Sequence, residues 1–282
     1  MLPPGAVDTH FHIFDDRFPQ LAGRNRAAAT VAQYREFQAS LGLSRGVVIA
    51  PSSYGADNGC LLDAMHRFGS DDFRAVVIAP PEVDRAALRD FHAAGARGLR
   101  LYTGHDDFPD PATLQRLGAT MAEHGWHLQL VGETRREAFI EVADALGRLP
   151  CNVVFDHFGF APQPAAETSR TADVLRRLLD GGRTYVKLSG MYIQSRTTSG
   201  DYEDYDSLAR RLIAHAPERM LWGSDWPHTL APVKPDGHRL LARLDAWTGD
   251  AAVRDMILVA NPQRLYWADW SGAAPTARPA AA

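Results

Sequence analysis

The chain has 282 residues, 45% of them hydrophobic and 23% charged, enough for one large core of ordinary soluble composition. A net charge of −4 supplies neither a basic field for nucleic acid nor a polybasic face for a membrane. Two cysteines, Cys60 and Cys151, make no disulfide framework; with no secretory pattern at residues 1–5 and no run of about 20 apolar residues, a cytoplasmic location is expected.

Short apolar, β-branched runs recur along the chain. They predict strands at residues 6–8, 46–50, 75–79, 98–101, 127–130, 152–156, 185–188 and 220–222. Amphipathic stretches at 30–41, 57–68, 84–94, 111–124, 135–146, 171–179 and 205–214 lie between them. Such alternation means parallel strands with crossover helices. Eight repeats fit an α/β fold of the (β/α)8 TIM barrel type, a single domain over residues 1–270, with an Ala/Pro-rich tail at 271–282 expected to be disordered. No GxGxxG or GxxxxGK[ST] follows a strand, which removes the support for a nucleotide-binding sheet.

In such a barrel the chemistry sits at the C-terminal ends of the strands. Strand 1 ends in Asp8-Thr9-His10-Phe11-His12. The two-residue spacing sends both imidazoles to one side, where they can bind a metal or donate to one carbonyl oxygen; the alternative is a packed His10 and a turn-capping His12. Ser52 follows strand 2, and Arg100 on strand 4 carries a planar fork that matches a carboxylate. After strand 6 comes Asp156-His157. Strict alternation lets only one of these face inward, and His157 is the expected one. Lys187 on strand 7 either joins Arg100 and Arg196 as an anion anchor or pairs with Asp8 or Asp156 inside the barrel. Strand 8 leads into Ser224-Asp225-Trp226-Pro227-His228. In a closed barrel it neighbours strand 1, so Asp225 can face the histidines; the alternative is an Asx turn before Pro227.

The motifs VDTHFH, VVFDHFG, VKLSG, LWGSDWPH and NPQRLYW follow one another from Val7 to Trp267. Together they resemble the amidohydrolase-related family of the amidohydrolase superfamily. The match is to its lactonase branch, which includes 2-pyrone-4,6-dicarboxylate lactonase, sugar-acid lactonases and D-galactarolactone isomerase. The resemblance implies that His10, His12, His157 and Asp225 are catalytic and that Ser52 and Arg100 meet the substrate; Lys187, Tyr192, Arg196 and His228 are the further candidates for substrate binding. The pyrone dicarboxylate enzymes carry a second arginine shortly after strand 4, which residues 102–107 lack. The stretch 187–196 is similar to the isomerase, with its tyrosine at Tyr192 and arginine at Arg196, whereas the complete HxH pair and Asp225 favour hydrolysis.

A binuclear metal site needs a bridging carboxylate on strand 4 and a histidine after strand 5. Strand 4 reads Gly98-Leu99-Arg100-Leu101-Tyr102, Val131-Gly132-Glu133 follows strand 5, and His127 lies at that strand's other end. Arg100 would also repel a dication. No cofactor is therefore expected, the alternative being a single divalent ion, zinc or manganese, on His10, His12 and Asp225. The expected function is a carboxylic ester hydrolase that opens a carboxylated lactone. Asp225 activates water, and His10, His12 and His157 stabilise the oxyanion. With one arginine on strand 4 and a polar loop after strand 7, a hydroxylated sugar-acid lactone is expected to be preferred to the flat pyrone dicarboxylate. The alternatives are a metal-dependent decarboxylase of the same superfamily, a lactone isomerase, and a non-catalytic sugar-acid binding protein. The expected partner is a small anionic lactone; oligomeric state is not readable.

Overall fold

A computed structural model describes residues 2–103, 108–132, 138–197 and 200–268. The 271–282 tail lies outside the described residues. Eight strands form one parallel sheet in the order of the chain: β1 (Val7–Phe11), β2 (Arg45–Ile49), β3 (Phe73–Val77), β4 (Ala96–Tyr102), β5 (His127–Val131), β6 (Asn152–Phe155), β7 (Thr184–Leu188) and β8 (Met220–Trp222). Around it lie α1 (Val31–Leu41), α2 (Gly59–Phe68), α3 (Arg85–Ala93), α4 (Pro111–Glu123), α5 (Ala143–Gly147), α6 (Arg170–Asp180), α7 (Asp206–His215), α8 (Gly237–Thr248) and α9 (Ala251–Asp255). This is the expected barrel.

Period two is visible within single strands. Val47 and Ile49 join Val7, Val76, Val154, Tyr185 and Leu221 in the barrel interior, while Val48 packs outward into the larger helix-covered core. The helices start where short polar side chains accept backbone N–H groups, as Thr30, Asp84, Asp110, Ser169 and Asp236 do. Asp110 is followed by Pro111 at the first helical position, where no N–H is missed.

Differences from the sequence reading are local. Strand β1 runs on to Phe11, which places His10 inside it. The expected helix at 135–146 is, in its described part, a 3-10 turn at Ala138–Val142 followed by the short α5. The unpredicted α8 and α9 lead into π-helical turns at Met256–Ala260 and Gln263–Trp267. Leu265 and Tyr266 from the last turn plug the barrel floor, and Trp267 stacks under the guanidinium groups of Arg45 and Arg74 at 3.7 and 5.1 Å. Among the described residues no helix is long and apolar enough to cross a membrane.

The junction of β8 with β1 is built differently from the seven ladders. The Thr9 hydroxyl donates to the Trp222 carbonyl at 2.8 Å, and the Asp225 and His12 amides donate to the His10 and Trp226 carbonyls, also at 2.8 Å. Gly223 allows this approach, because a Cβ there would sit 2.6 Å from Cβ of His10. The buried Asp8 carboxylate ties the two sides together, accepting from the Ser224 amide and hydroxyl, the His10 amide and the Tyr34 hydroxyl. Burial still pushes its pKa up to about 6.

Candidate active site

Three residues at the barrel mouth have left-handed backbone: His157 at φ 51°, Asp225 at φ 60° and His228 at φ 59°. For residues with a Cβ this conformation is uncommon and costs of order 1–2 kcal/mol. Strain of this kind collects at functional sites. It also corrects an expectation. Asp156 keeps extended geometry, but the left-handed turn swings His157 back inward, so both neighbours reach the site rather than one.

The side chains converge on Asp225. Nε2 of His10 and of His12 each lie 3.5 Å from Oδ1, and Nε2 of His157 lies 3.9 Å from Oδ2. Tyr192 donates its hydroxyl to Oδ2 at 2.5 Å. Burial opposes the charge of Asp225, but His157, His12 and His10 outweigh it and hold the carboxyl well below the usual carboxylate range. Burial also keeps His10 and His157 neutral, below their ordinary range, and takes His228 down to about 4. Asp225 is therefore an anion beside the neutral imidazoles of His10 and His157.

Ring partners fix what each histidine can do. His12 donates Nδ1–H to the Ile49 carbonyl at 2.8 Å, which orients the ring with Nε2 toward Asp225. Nδ1 of His157 meets the Ser189 hydroxyl at 2.9 Å, and either group can be the donor, so Nε2–H remains open to this ring. Nδ1 of His10 lies 3.3 Å from Lys187 Nζ and 3.2 Å from Asp156 Oδ1. Where Lys187 donates to Nδ1, His10 carries its proton on Nε2, which lies 3.3 Å from Nε2 of His12.

Beneath the histidines is a buried ionic layer. Lys187, fully buried, donates to Gln129 Oε1 at 2.8 Å and lies 3.5 Å from Asp156 Oδ1. Gln129 donates to Asp156 Oδ2 at 3.0 Å, and Arg100 reaches the same oxygen through Nε and Nη2 at 3.2 and 3.1 Å. Burial lowers Lys187 to about 8; Asp156, despite its burial, is held low by His10, Lys187 and Arg100.

This corrects the expected anchors. Lys187 pairs with Asp156 inside the barrel. Arg100 borders the cavity, but its guanidinium is engaged by Asp156, the Ala50 carbonyl and the Tyr102 hydroxyl, because a cation 3% exposed needs a counter-charge. Arg196 is exposed; its described contact is a backbone one, the amide donating to Asp204 at 2.8 Å. Ser52 lines the same cavity as His12, His157 and Asp225, whereas His228 packs edge-on against Tyr192 at 5.8 Å and lines the cavity next door. The stretch 104–107, where a second arginine was sought, and Glu133 lie outside the described residues.

Sequence reasoning missed Gln129, Ser189 and Arg26. Gln129 had a signal, a polar residue amid the apolar strand β5. Arg26 lines the same cavity as His12, His157 and Asp225 but comes from the loop after β1, where no periodicity points. The donor set also fits one divalent ion: His10, His157 and Asp225 offer ligand atoms all within 4.8 Å of one another. His157 thus enters the set for which His12 was named.

A family model described as amidohydrolase matches residues 7–267. The 2-pyrone-4,6-dicarboxylate hydrolase of Comamonas testosteroni is 31% identical over 94% of this chain and 91% of its own. The 4-sulfomuconolactone hydrolase of Hydrogenophaga intermedia is also 31% identical, over 94% and 90%. An apo crystal structure from Agrobacterium tumefaciens superimposes with a TM-score of 0.84 at 28% identity, covering 95% of this chain and 97% of that one. With the eight-stranded barrel and the clustered histidines and aspartate already described, these matches establish that the chain belongs to the amidohydrolase family.

Proposed function

We propose that the protein hydrolyses the ring ester of a carboxylated lactone, of the sugar-acid or the muconate and pyrone type, with Asp225 as general base. The observation that carries this reading is the convergence of three imidazoles on one ionised, strained carboxylate at the barrel mouth. Relatives named as lactone hydrolases, aligned along nearly the whole chain, support the substrate class.

Asp225 Oδ1 takes a proton from water as its oxygen bonds to the ring carbonyl carbon. The oxyanion that forms is met by Nε2–H of His10 and His157, an interaction often worth several kcal/mol. Nε2 of His12, 3.5 Å from Asp225 Oδ1, helps orient the water. Collapse of the intermediate breaks the ring C–O bond, and Asp225 hands its proton to the leaving oxygen, giving a hydroxy acid. The depressed pKa of Asp225 makes that second transfer downhill. An isomerase would need the freed hydroxyl to re-attack another carboxyl; the carboxylate poised to activate water favours hydrolysis.

If a divalent ion is bound, His10, His157 and Asp225 would hold it, and it would supply Lewis-acid polarisation of the carbonyl. We propose that turnover does not require it: the Tyr192 hydroxyl already donates to the Asp225 carboxylate, and Lys187 and Arg100 balance the buried charge of Asp156. The test follows proton release from a panel of carboxylated lactones, before and after exhaustive chelation. Asp225→Asn should lower kcat at least a hundredfold with the fold intact, and the chelated wild type should keep its rate. A variant with more than about a tenth of wild-type kcat excludes Asp225 as the base. Loss on chelation with rescue by zinc or manganese would favour the metal-dependent alternative, and carbon dioxide release in place of ring opening would identify the decarboxylase.

A further inference from the structure

The catalytic cavity, about 70 Å³, is too small for a substituted lactone ring, and it adjoins two larger spaces. One, about 580 Å³, is reached past Ser52 and Arg100; its lining includes three prolines, Arg24 and the acidic Glu82. The other, about 660 Å³, is reached past Arg26 and Thr229, both of which line it and the catalytic cavity; its lining includes Lys234 and no acidic residue. The two exits therefore differ in charge.

The cations at the exits differ as well. Arg100 is neutralised by Asp156, and Arg24 lines the first space but not the catalytic cavity, its Nη1 meeting the Ser52 carbonyl at 3.4 Å. Arg26 has no carboxylate partner among the described residues; its Nη1 meets the carbonyl of its own neighbour Asn25. Its backbone, by contrast, is gripped on both sides by one carboxamide. The Arg26 amide donates to Gln20 Oε1 at 2.7 Å, and Gln20 Nε2 donates to the Arg26 carbonyl at 2.8 Å. Next to it, the Ser53 hydroxyl donates to the Arg24 carbonyl at 2.8 Å. A half-buried guanidinium on a clamped backbone, bordering the cavity of an ionised base, is a preorganised anion subsite.

We propose that Arg26 binds the carboxylate of the substrate, directing the anionic arm into the space beside Thr229 and Lys234. This assignment rests on the lactonase reading for the identity of the ligand. It makes Arg26, and not Arg100, the specificity determinant for charge.

The test uses a sugar-diacid monolactone and its methyl ester, with calorimetric binding and turnover measured on wild type, Arg26→Ala and Arg26→Lys. The side chain of Arg26 makes no contact that the loop's backbone clamp depends on, so the variants should fold. For the free carboxylate, Arg26→Ala should weaken Kd and raise KM by about ten- to a hundredfold, with kcat within about threefold; Arg26→Lys should fall between. The ester should show a variant-to-wild-type ratio near one. Equal affinity of wild type and Arg26→Ala for the carboxylate, an equal loss for the ester, or no binding by wild type overturns the subsite. Arg26-dependent binding without turnover in wild type upholds the subsite and refutes the lactonase.

Discussion

At the scale of single residues, the buried ionic layer decides how Lys187 is to be understood. Its ammonium is fully buried, 3.5 Å from Asp156 and 2.8 Å from Gln129, so it shares the neutralisation of Asp156 with Arg100. Removing one partner of such a group leaves charge buried without its match, typically at a cost of about 3–5 kcal/mol. Lys187→Met should therefore lose about that much in urea denaturation and lower kcat through a displaced His10, with little change in KM. A variant of native stability with a raised KM would return Lys187 to the role of substrate anchor. The residues legible in the sequence were those whose position alone points at the mouth, His10, His12 and Asp225 on the strand ends. The Asp156–His157 pair misled because alternation holds only for extended backbone, and His157 is left-handed.

Among the elements, the turn after β7 has the closest tolerance. Gly190 has φ 61°, and a Cβ there would lie 2.4 Å from Nδ1 of His157. The preceding Ser189 holds that same nitrogen at 2.9 Å, so the β7 turn fixes the ring that the β6 turn delivers. Gly190→Ala should push the ring out of line, lowering kcat by at least about tenfold, while the backbone strain costs only about 1–2 kcal/mol of stability. Unchanged kcat with unchanged stability would show that the turn has slack. The strands were legible because β-branched runs of four to five residues recur between amphipathic stretches. The π-helical turns at 256–267 were not, since a hydrophobic stripe reads alike for helices of slightly different pitch.

For the molecule as a whole, neutral buried histidines set the response to acid. His127, near the barrel floor against Tyr266, is taken down to about 3 chiefly by burial, with the charge of Lys187 adding to the effect. His228 is taken down to about 4, and His10 and His157 are lowered too. Each folded-state pKa lies below its unfolded value near 6.5. Their contribution is therefore complete above pH 6.5 and drains away as pH falls toward the folded values, by up to about 1.4 kcal/mol per histidine per unit. Denaturation free energy should fall steeply between pH 6.5 and 4, and His127→Leu should flatten that slope whatever its effect at pH 7. A slope identical to wild type would exclude His127 as a contributor. The closure of the barrel carries a different consequence. The β8–β1 junction relies on a single backbone bridge and side-chain bonds where the other strands have ladders, and the proposed catalytic groups straddle it, His10 and His12 on one bank and Asp225 on the other. On the proposed mechanism a substrate would span the two banks, so ligand binding should act as a clasp on the seam of the barrel itself.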